Sequence, residues 1–154
     1  MDFCVYEMRR DTKGIPSVEV CCIPFRKQYL EQYVSMYNAA FRPMREELDI
    51  KPYDWYHDGN MIPEKESDIY IFAEGEELIG SVACYGNEID DLFVGDSYRG
   101  KGYGRQLLIW AMDHIASAGY VEMVIHVAEW NQNAVKMYLD EGFKVVKKET
   151  IVSR

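Results

Sequence analysis

Gly95–Gly104 reads GDSYRGKGYG, and the fold and chemistry of the chain turn on this stretch. Four glycines are interspersed with Tyr98, Arg99, Lys101 and Tyr103. The residues before it, Ile89–Val94, have the branched, apolar character of a strand. Those after it, Arg105–Ala118, carry the period of an amphipathic helix. A glycine-rich turn from strand to helix bares backbone N–H groups at the positive end of the helix, where phosphate groups bind. Arg99, Lys101 and Arg105 place three positive charges within seven residues. Cations disfavour the start of a helix unless an anion joins them, so the stretch predicts a phosphorylated ligand.

Two common phosphate loops are excluded by single residues. Gly95-x4-Gly100-Lys101 begins like a Walker A loop, but Gly102 stands where Ser or Thr would hold Mg²⁺. Gly100-x-Gly102 begins a dinucleotide fingerprint, but its third glycine is replaced by Arg105.

Composition sets the outer bounds. The 154 residues suit one domain, 1–154, with 48% hydrophobic and 28% charged residues. No apolar run approaches the roughly 18 residues of a membrane-spanning helix. The opening MDFCVYEMRRD lacks signal-peptide architecture, so no membrane partner and a cytoplasmic location are expected. A formal charge of −9 argues against nucleic acid and suits a cationic substrate such as an amine. Cys4, Cys21, Cys22 and Cys84 lack metal-ligand spacing, which predicts buried, reduced thiols and no metal.

Along the chain, Val18–Ile23 reads as a strand, paired with Phe3–Met8 across a turn at Lys13–Gly14. Phe25–Phe41 has helical period through Tyr29, Tyr33, Met36, Tyr37 and Ala40; Pro43 is expected to end it before a short second helix, Met44–Leu48. Asp49–Ser67 has loop composition and the length of a functional loop or lid. Asp68–Ala73 and Leu78–Tyr85 read as a hairpin around Gly75, and Val121–Val127 as a further strand. Asn131 is a favoured N-cap for the helix that follows, and Gly142 suits the position past its end.

Arg99-x-x-Gly102-x-Gly104, within DLFVGDSYRGKGYGRQLL, resembles the acyl-CoA-binding loop of the GNAT superfamily of acyl-CoA-dependent N-acyltransferases. Asn131-x-x-Ala134-x-x-x-Tyr138, followed by Gly142-Phe143, resembles a second motif of that family. The resemblance covers Ser67 to about Thr150, and implies an α/β fold with a mixed, mostly antiparallel twisted sheet flanked by helices. It implies acetyl-CoA as acyl donor, direct transfer to an amine acceptor in a ternary complex, and a monomer or homodimer. A regulatory module of the same fold that binds acyl-CoA without catalysis is the alternative; Tyr138 favours the enzyme.

The same resemblance implies roles for residues. Tyr138 would be the general acid that protonates the leaving thiolate. Leu92, Phe93 and Val94 would offer backbone groups to the donor's arm and thioester oxygen, in a gap between this strand and Val121–Val127. Arg99, Gly100, Lys101, Gly102, Tyr103, Gly104 and Arg105 would hold the pyrophosphate, and Asn131 would contact the arm. The general base is Glu88, His126 or ordered water. A period of two puts Glu88, Asp90, Leu92 and Val94 on one strand face. The acceptor would be met by Phe25–Leu48 and by Tyr53, Trp55, Tyr56 and His57, unless these only pack the core and anchor the loop.

Overall fold

In chain order the elements are β1 (Phe3–Asp11), β2 (Ile23–Pro24), α1 (Leu30–Glu47), β3 (Ile69–Glu74), β4 (Glu77–Tyr85) and β5 (Glu88–Val94), then α2 (Tyr103–Ser117), β6 (Glu122–Ala128), α3 (Gln132–Asp140) and β7 (Lys144–Ile151). The computed structural model describes residues 1–63 and 65–152; the loop reading at Glu64 and the domain end at Ser153–Arg154 lie outside the described residues. Among the described residues seven strands form one sheet, ordered β2-β3-β4-β5-β6-β1-β7. Every neighbouring pair is antiparallel except β5 and β6, which run parallel. This is the expected α/β arrangement, a mixed and mostly antiparallel sheet with flanking helices.

Parallel neighbours need a crossover, and α2 supplies it by lying on the face of β4 and β5. Leu108, Met112 and Ile115 of α2 join Val135 and Tyr138 of α3 over Val82, Ile89 and Ile125, one core of the molecule. On the opposite face α1 lays Tyr33, Val34 and Tyr37 over Ile69, Ile71 and Phe93, a second and strongly aromatic core. Among the described residues no helix is long and apolar enough to cross a membrane.

Two local expectations are corrected. Residues 18–22 do not form a strand with β1, because both edges of β1 are taken by β6 and β7. Only Ile23–Pro24 pairs, against Ile71 and Tyr70, while Val20 and Cys22 are buried without a ladder. Pro43 does not end α1, which runs on to Glu47. A proline inside a helix costs about 3 kcal/mol, and the buried aromatic face of α1 outweighs that cost. The hairpin turn at Gly75 and the Asn131 cap, whose Oδ1 accepts from the Ala134 N–H at 3.3 Å, fold as read. The cysteines divide: Cys22 and Cys84 are buried, Cys21 is exposed and Cys4 is half-buried, all as free thiols.

Gly80 of β4 explains how closely α2 sits on the sheet. A Cβ there would stand 2.8 Å from the Phe93 carbonyl oxygen and 2.8 Å from Leu107 Cδ1. The leucine tip can turn, but the backbone oxygen cannot. Gly80→Ala is expected to lower stability by about 1–3 kcal/mol, read as an earlier urea unfolding midpoint; a midpoint equal to that of the parent protein would refute this packing argument.

Candidate functional site

The central opening of the sheet is made by what β5 fails to do. It pairs with β6 only at Glu88↔Val124 and Ile89↔Ile125. Beyond that, Ala83 of β4 opposes Asp90 and Ser81 opposes Phe93, so Asp91 and Leu92 together fill the place opposite Val82. This is a β-bulge, and it bends β5 away from its parallel neighbour. Asp91 takes φ 48°, a left-handed conformation that Asp tolerates better than most residues. Its carboxylate accepts hydrogen bonds from the Tyr37 hydroxyl at 3.2 Å and the Tyr85 hydroxyl at 3.0 Å, which pin the bulge to α1 and β4.

The bulge also corrects the expected strand face. Glu88 and Asp90 stand opposite Tyr85 and Ala83, on the α1 side, whereas Val94 stands opposite Gly80, on the α2 side. The four residues do not share a face.

Between the parted strands lies a cleft of about 570 Å³. Leu92, Phe93, Val94, Arg99, Gly104, Asn131, His126 and Tyr138 all line it, so most of the residues read from sequence converge there. Gly100, Lys101 and Gly102 on the adjoining turn, Tyr103 and Arg105 in the first turn of α2, and Glu88 at the start of β5 lie outside the lining. Gly100 and Gly102 have φ 77° and 82°, which only glycine adopts without strain. Among the described residues nothing lies within 4 Å of the positions their Cβ atoms would take, so the outer face of the turn is open. No side chain caps α2 among the described residues. The first intrahelical donor is Gln106, to the Gly102 carbonyl, and the amides of residues 103–105 are the unsatisfied set at a helix start.

The basic residues of this turn are not equivalent. Arg99 reaches the cleft, 3.3 Å from Asp96. Lys101 lies over the Tyr98 ring at 5.8 Å. Arg105 is bound to Glu141, and at 3.4 Å to Asp140, at the end of α3. The charge that sequence reading assigned to an anion is in this case matched by two carboxylates of the protein.

Tyr138 is buried on α3, and among the described residues no group hydrogen-bonds its hydroxyl. Burial first, and then the nearby Asp90 charge, push its pKa up to about 12, which keeps the phenol protonated. The two residues read as candidate bases are hydrogen-bonded to one another, His126 Nδ1 lying 3.0 Å from Glu88 Oε1. His126 Nε2 lies 3.3 Å from Glu7 Oε1, so both ring nitrogens face carboxylates. A base at His126 would first have to give up one of these contacts.

The residue that sequence reading undervalued is Asp90. It is open to water through the cleft but crowded by protein at its sides. That crowding, with the neighbouring Asp91 carboxylate, pushes its pKa up to about 6. Asp91 is raised as well, mainly by burial and against the two tyrosine hydrogen bonds. The double acid at 90–91 was the available signal, but only the bulge makes both carboxyls meet at the cleft.

The described part of the connection after α1 is anchored to α1 and its aromatic core. Tyr56 is buried beside Tyr33 and Tyr37, and Asn38 holds its backbone through contacts of 2.8 and 3.1 Å. Trp55 lies under the Arg45 guanidinium at 5.4 Å, Tyr53 donates to Asp49 at 2.6 Å, and His57 Nδ1 meets the Asp58 carbonyl. None of the four aromatics lines the cleft; Phe41, Met44 and Ile50 do. Among the described residues no cluster of three His, Cys, Asp or Glu could hold a metal ion.

Comparison with known proteins agrees with this fold. A model of the acetyltransferase (GNAT) family matches residues 30–143. Mycothiol acetyltransferase of Corynebacterium glutamicum is 24% identical, over 94% of this chain and 52% of its own length. L-ornithine N5-acetyltransferase of Arabidopsis thaliana is 33% identical over 56% of this chain and 39% of its own. The chain therefore spans about half or less of the length of these relatives. The crystal structure of an acetyltransferase from the GNAT family from Colwellia psychrerythraea superposes with TM-score 0.70 at 16% identity, over 97% of this chain and 55% of that one.

The Asp90 environment has a consequence for stability. A carboxyl raised from its ordinary 3.8 to about 6 binds more protons in the folded state than in the unfolded state across that interval. Stability is then lost as pH rises from about 4 to about 6, and stays lost above it. Asp90→Asn, which keeps an oxygen for the Asp91 N–H that donates to Asp90 Oδ1 at 2.7 Å, is expected to unfold at higher urea than the parent at pH 8. The two should unfold alike at pH 4. A difference independent of pH would show that Asp90 is not crowded as described.

Proposed function

Because the chain belongs to the GNAT acetyltransferase family, we propose that it transfers an acetyl group from acetyl-CoA directly to a primary amine bound beside it. The observation that carries this reading is the cleft between β5 and β6, with an uncapped helix start at one end and a protonated tyrosine in its wall. The donor supplies an activated thioester when bound.

The residues present fit that donor. The amides at 103–105 and the open glycine turn suit a pyrophosphate, and Arg99 adds a cation at the same end. Leu92–Val94 have no partner strand on the cleft side, so their backbone groups are available to an amide-bearing arm and to the thioester oxygen. Asn131 spends Oδ1 on its cap and retains its amide N–H groups as donors to the arm.

Transfer needs a neutral amine and a protonated leaving sulfur. In this reading Tyr138 Oη, kept protonated by burial, donates to the departing thiolate. The amine loses its proton towards the acidic side of the cleft, where Asp90 takes up protons near pH 6. Glu88 and His126 stay in contact with one another and are the further acceptors of that proton, directly or through water.

Two measurements test the proposal. Release of free CoA with a broad panel of amines should be amine-dependent, and Tyr138→Phe should lower kcat about 100-fold or more. If acetyl-CoA binds, no amine releases thiol and Tyr138→Phe changes nothing, the chain is a binding module. Gly102→Val, which forces a side chain into a left-handed position on the open face of the turn, should weaken acetyl-CoA binding about tenfold or more, measured by calorimetry. Unchanged affinity in a folded variant would remove the pyrophosphate from this turn.

A further inference from the structure

We propose that the acceptor is a small primary amine with a single positive charge and an apolar body, the ammonium seated at Asp90 and the body against Phe3, Val5, Phe41, Met44 and Ile50. This rests on the transferase reading above and names the substrate class of the same cleft.

The α1 side of the cleft is built for such a molecule. Glu7 of β1 opposes His126, and Val5 opposes Ala128, while Met8 joins the core beneath α2 and α3. Phe3 and Val5 therefore face the α1 side with His126. Across from them stand Phe41 and Met44 of α1, with Ile50 just past its end. All five are half-buried, so they keep apolar surface open to the cleft in a chain whose formal charge is −9. An amine with a hydrocarbon body covers that surface. A peptide would bring backbone amides against these five side chains, which offer only carbon and sulfur and leave polar groups unpaired at a cost.

The charges at this end select a monocation. Asp91 already accepts from two phenols, and Asp90 Oδ1 accepts the Asp91 N–H, which leaves Asp90 Oδ2 to receive an ammonium. An acceptor bearing its own carboxylate finds no Arg or Lys among the described residues lining the α1 side, where the Arg45 charge acts on Asp91 from outside the lining. Among the described residues Arg99 is the one Arg or Lys in the lining, and it belongs to the turn before α2. Arg45 lies over Trp55 and donates to the Pro52 carbonyl, and the His126 ring is held between Glu7 and Glu88. A polyamine or aminoglycoside would press its additional charges against the apolar wall, at a large desolvation cost.

The test is a panel of phenethylamine, hexylamine, ethanolamine, spermidine, L-ornithine, kanamycin and a lysine-containing peptide, with CoA release as readout and acetyl-CoA binding followed separately by calorimetry. Phenethylamine and hexylamine should exceed ethanolamine in kcat/KM by about tenfold or more. Met44→Gln, at a half-buried position, should raise KM for phenethylamine about fivefold more than it raises KM for ethanolamine. Asp90→Asn should raise KM for phenethylamine about tenfold or more. Preference for ornithine, spermidine, kanamycin or the peptide would overturn the proposal and leave the transferase reading standing. Acetyl-CoA binding without thiol release from any amine would overturn both.

Discussion

The pairing of β5 with β6 stops after two residues, and the rest of the molecule is arranged around that stop. A continuous ladder would close the sheet and leave no site. A wholly absent one would leave two half-sheets with a bare seam. The two-residue contact at Glu88↔Val124 and Ile89↔Ile125 is reinforced by Asn87, whose carbonyl accepts from Val124 N–H and whose side chain donates to the Glu122 carbonyl. The seam is thus fastened at one end and open at the other. The bulge at Asp91–Leu92 keeps it open, since a bulged strand is bent and twisted away from its neighbour.

Opening a sheet in its middle gives a cleft with two chemically different sides. Towards α2 and α3 the lining offers backbone amides, Arg99 and a buried phenol, which suit an anionic ligand with a thiol leaving group. Towards α1 it offers carboxylates and hydrocarbon, which suit a cation with an apolar body. In the proposed reaction two reactants of opposite charge enter from opposite sides and meet at the strands, where neither has to pass the other. Holding both in one cleft would replace a bimolecular encounter by an oriented one, an entropic advantage for a transfer reaction.

What the sequence made legible was encoded locally. The glycine turn, the Asn131 cap, the Gly142 stop and the Gly75 hairpin each depend on a backbone preference of one or two residues, and such preferences survive in any context. The failures were non-local. Residues 18–22 have strand composition, but no free edge of β1 remained for them. Pro43 carries a real local cost that a whole aromatic helix face outweighs. The period of two along β5 was sound until the bulge broke it, and nothing in EIDDLFV announces a residue that will need left-handed φ. Asp90 was visible as a carboxylate, but its crowding is a property of the folded cleft.

The ion pairs of Arg105 with Glu141 and Asp140 join residues 35 and 36 positions apart in the chain. They clasp the first turn of α2, beside the glycine loop, to the end of α3, two residues beyond Tyr138 in the case of Asp140. The glycine turn and the phenol therefore ride on one frame, tied outside the sheet rather than through it. Arg105 and Asp140 are exposed, whereas the Glu141 side chain is 10% exposed, so ions screen the Asp140 contact more than the Glu141 one. In the proposed reaction the distance between the donor's anchor and the acid is therefore set in part by a clasp between two helix ends, and not by the strands alone.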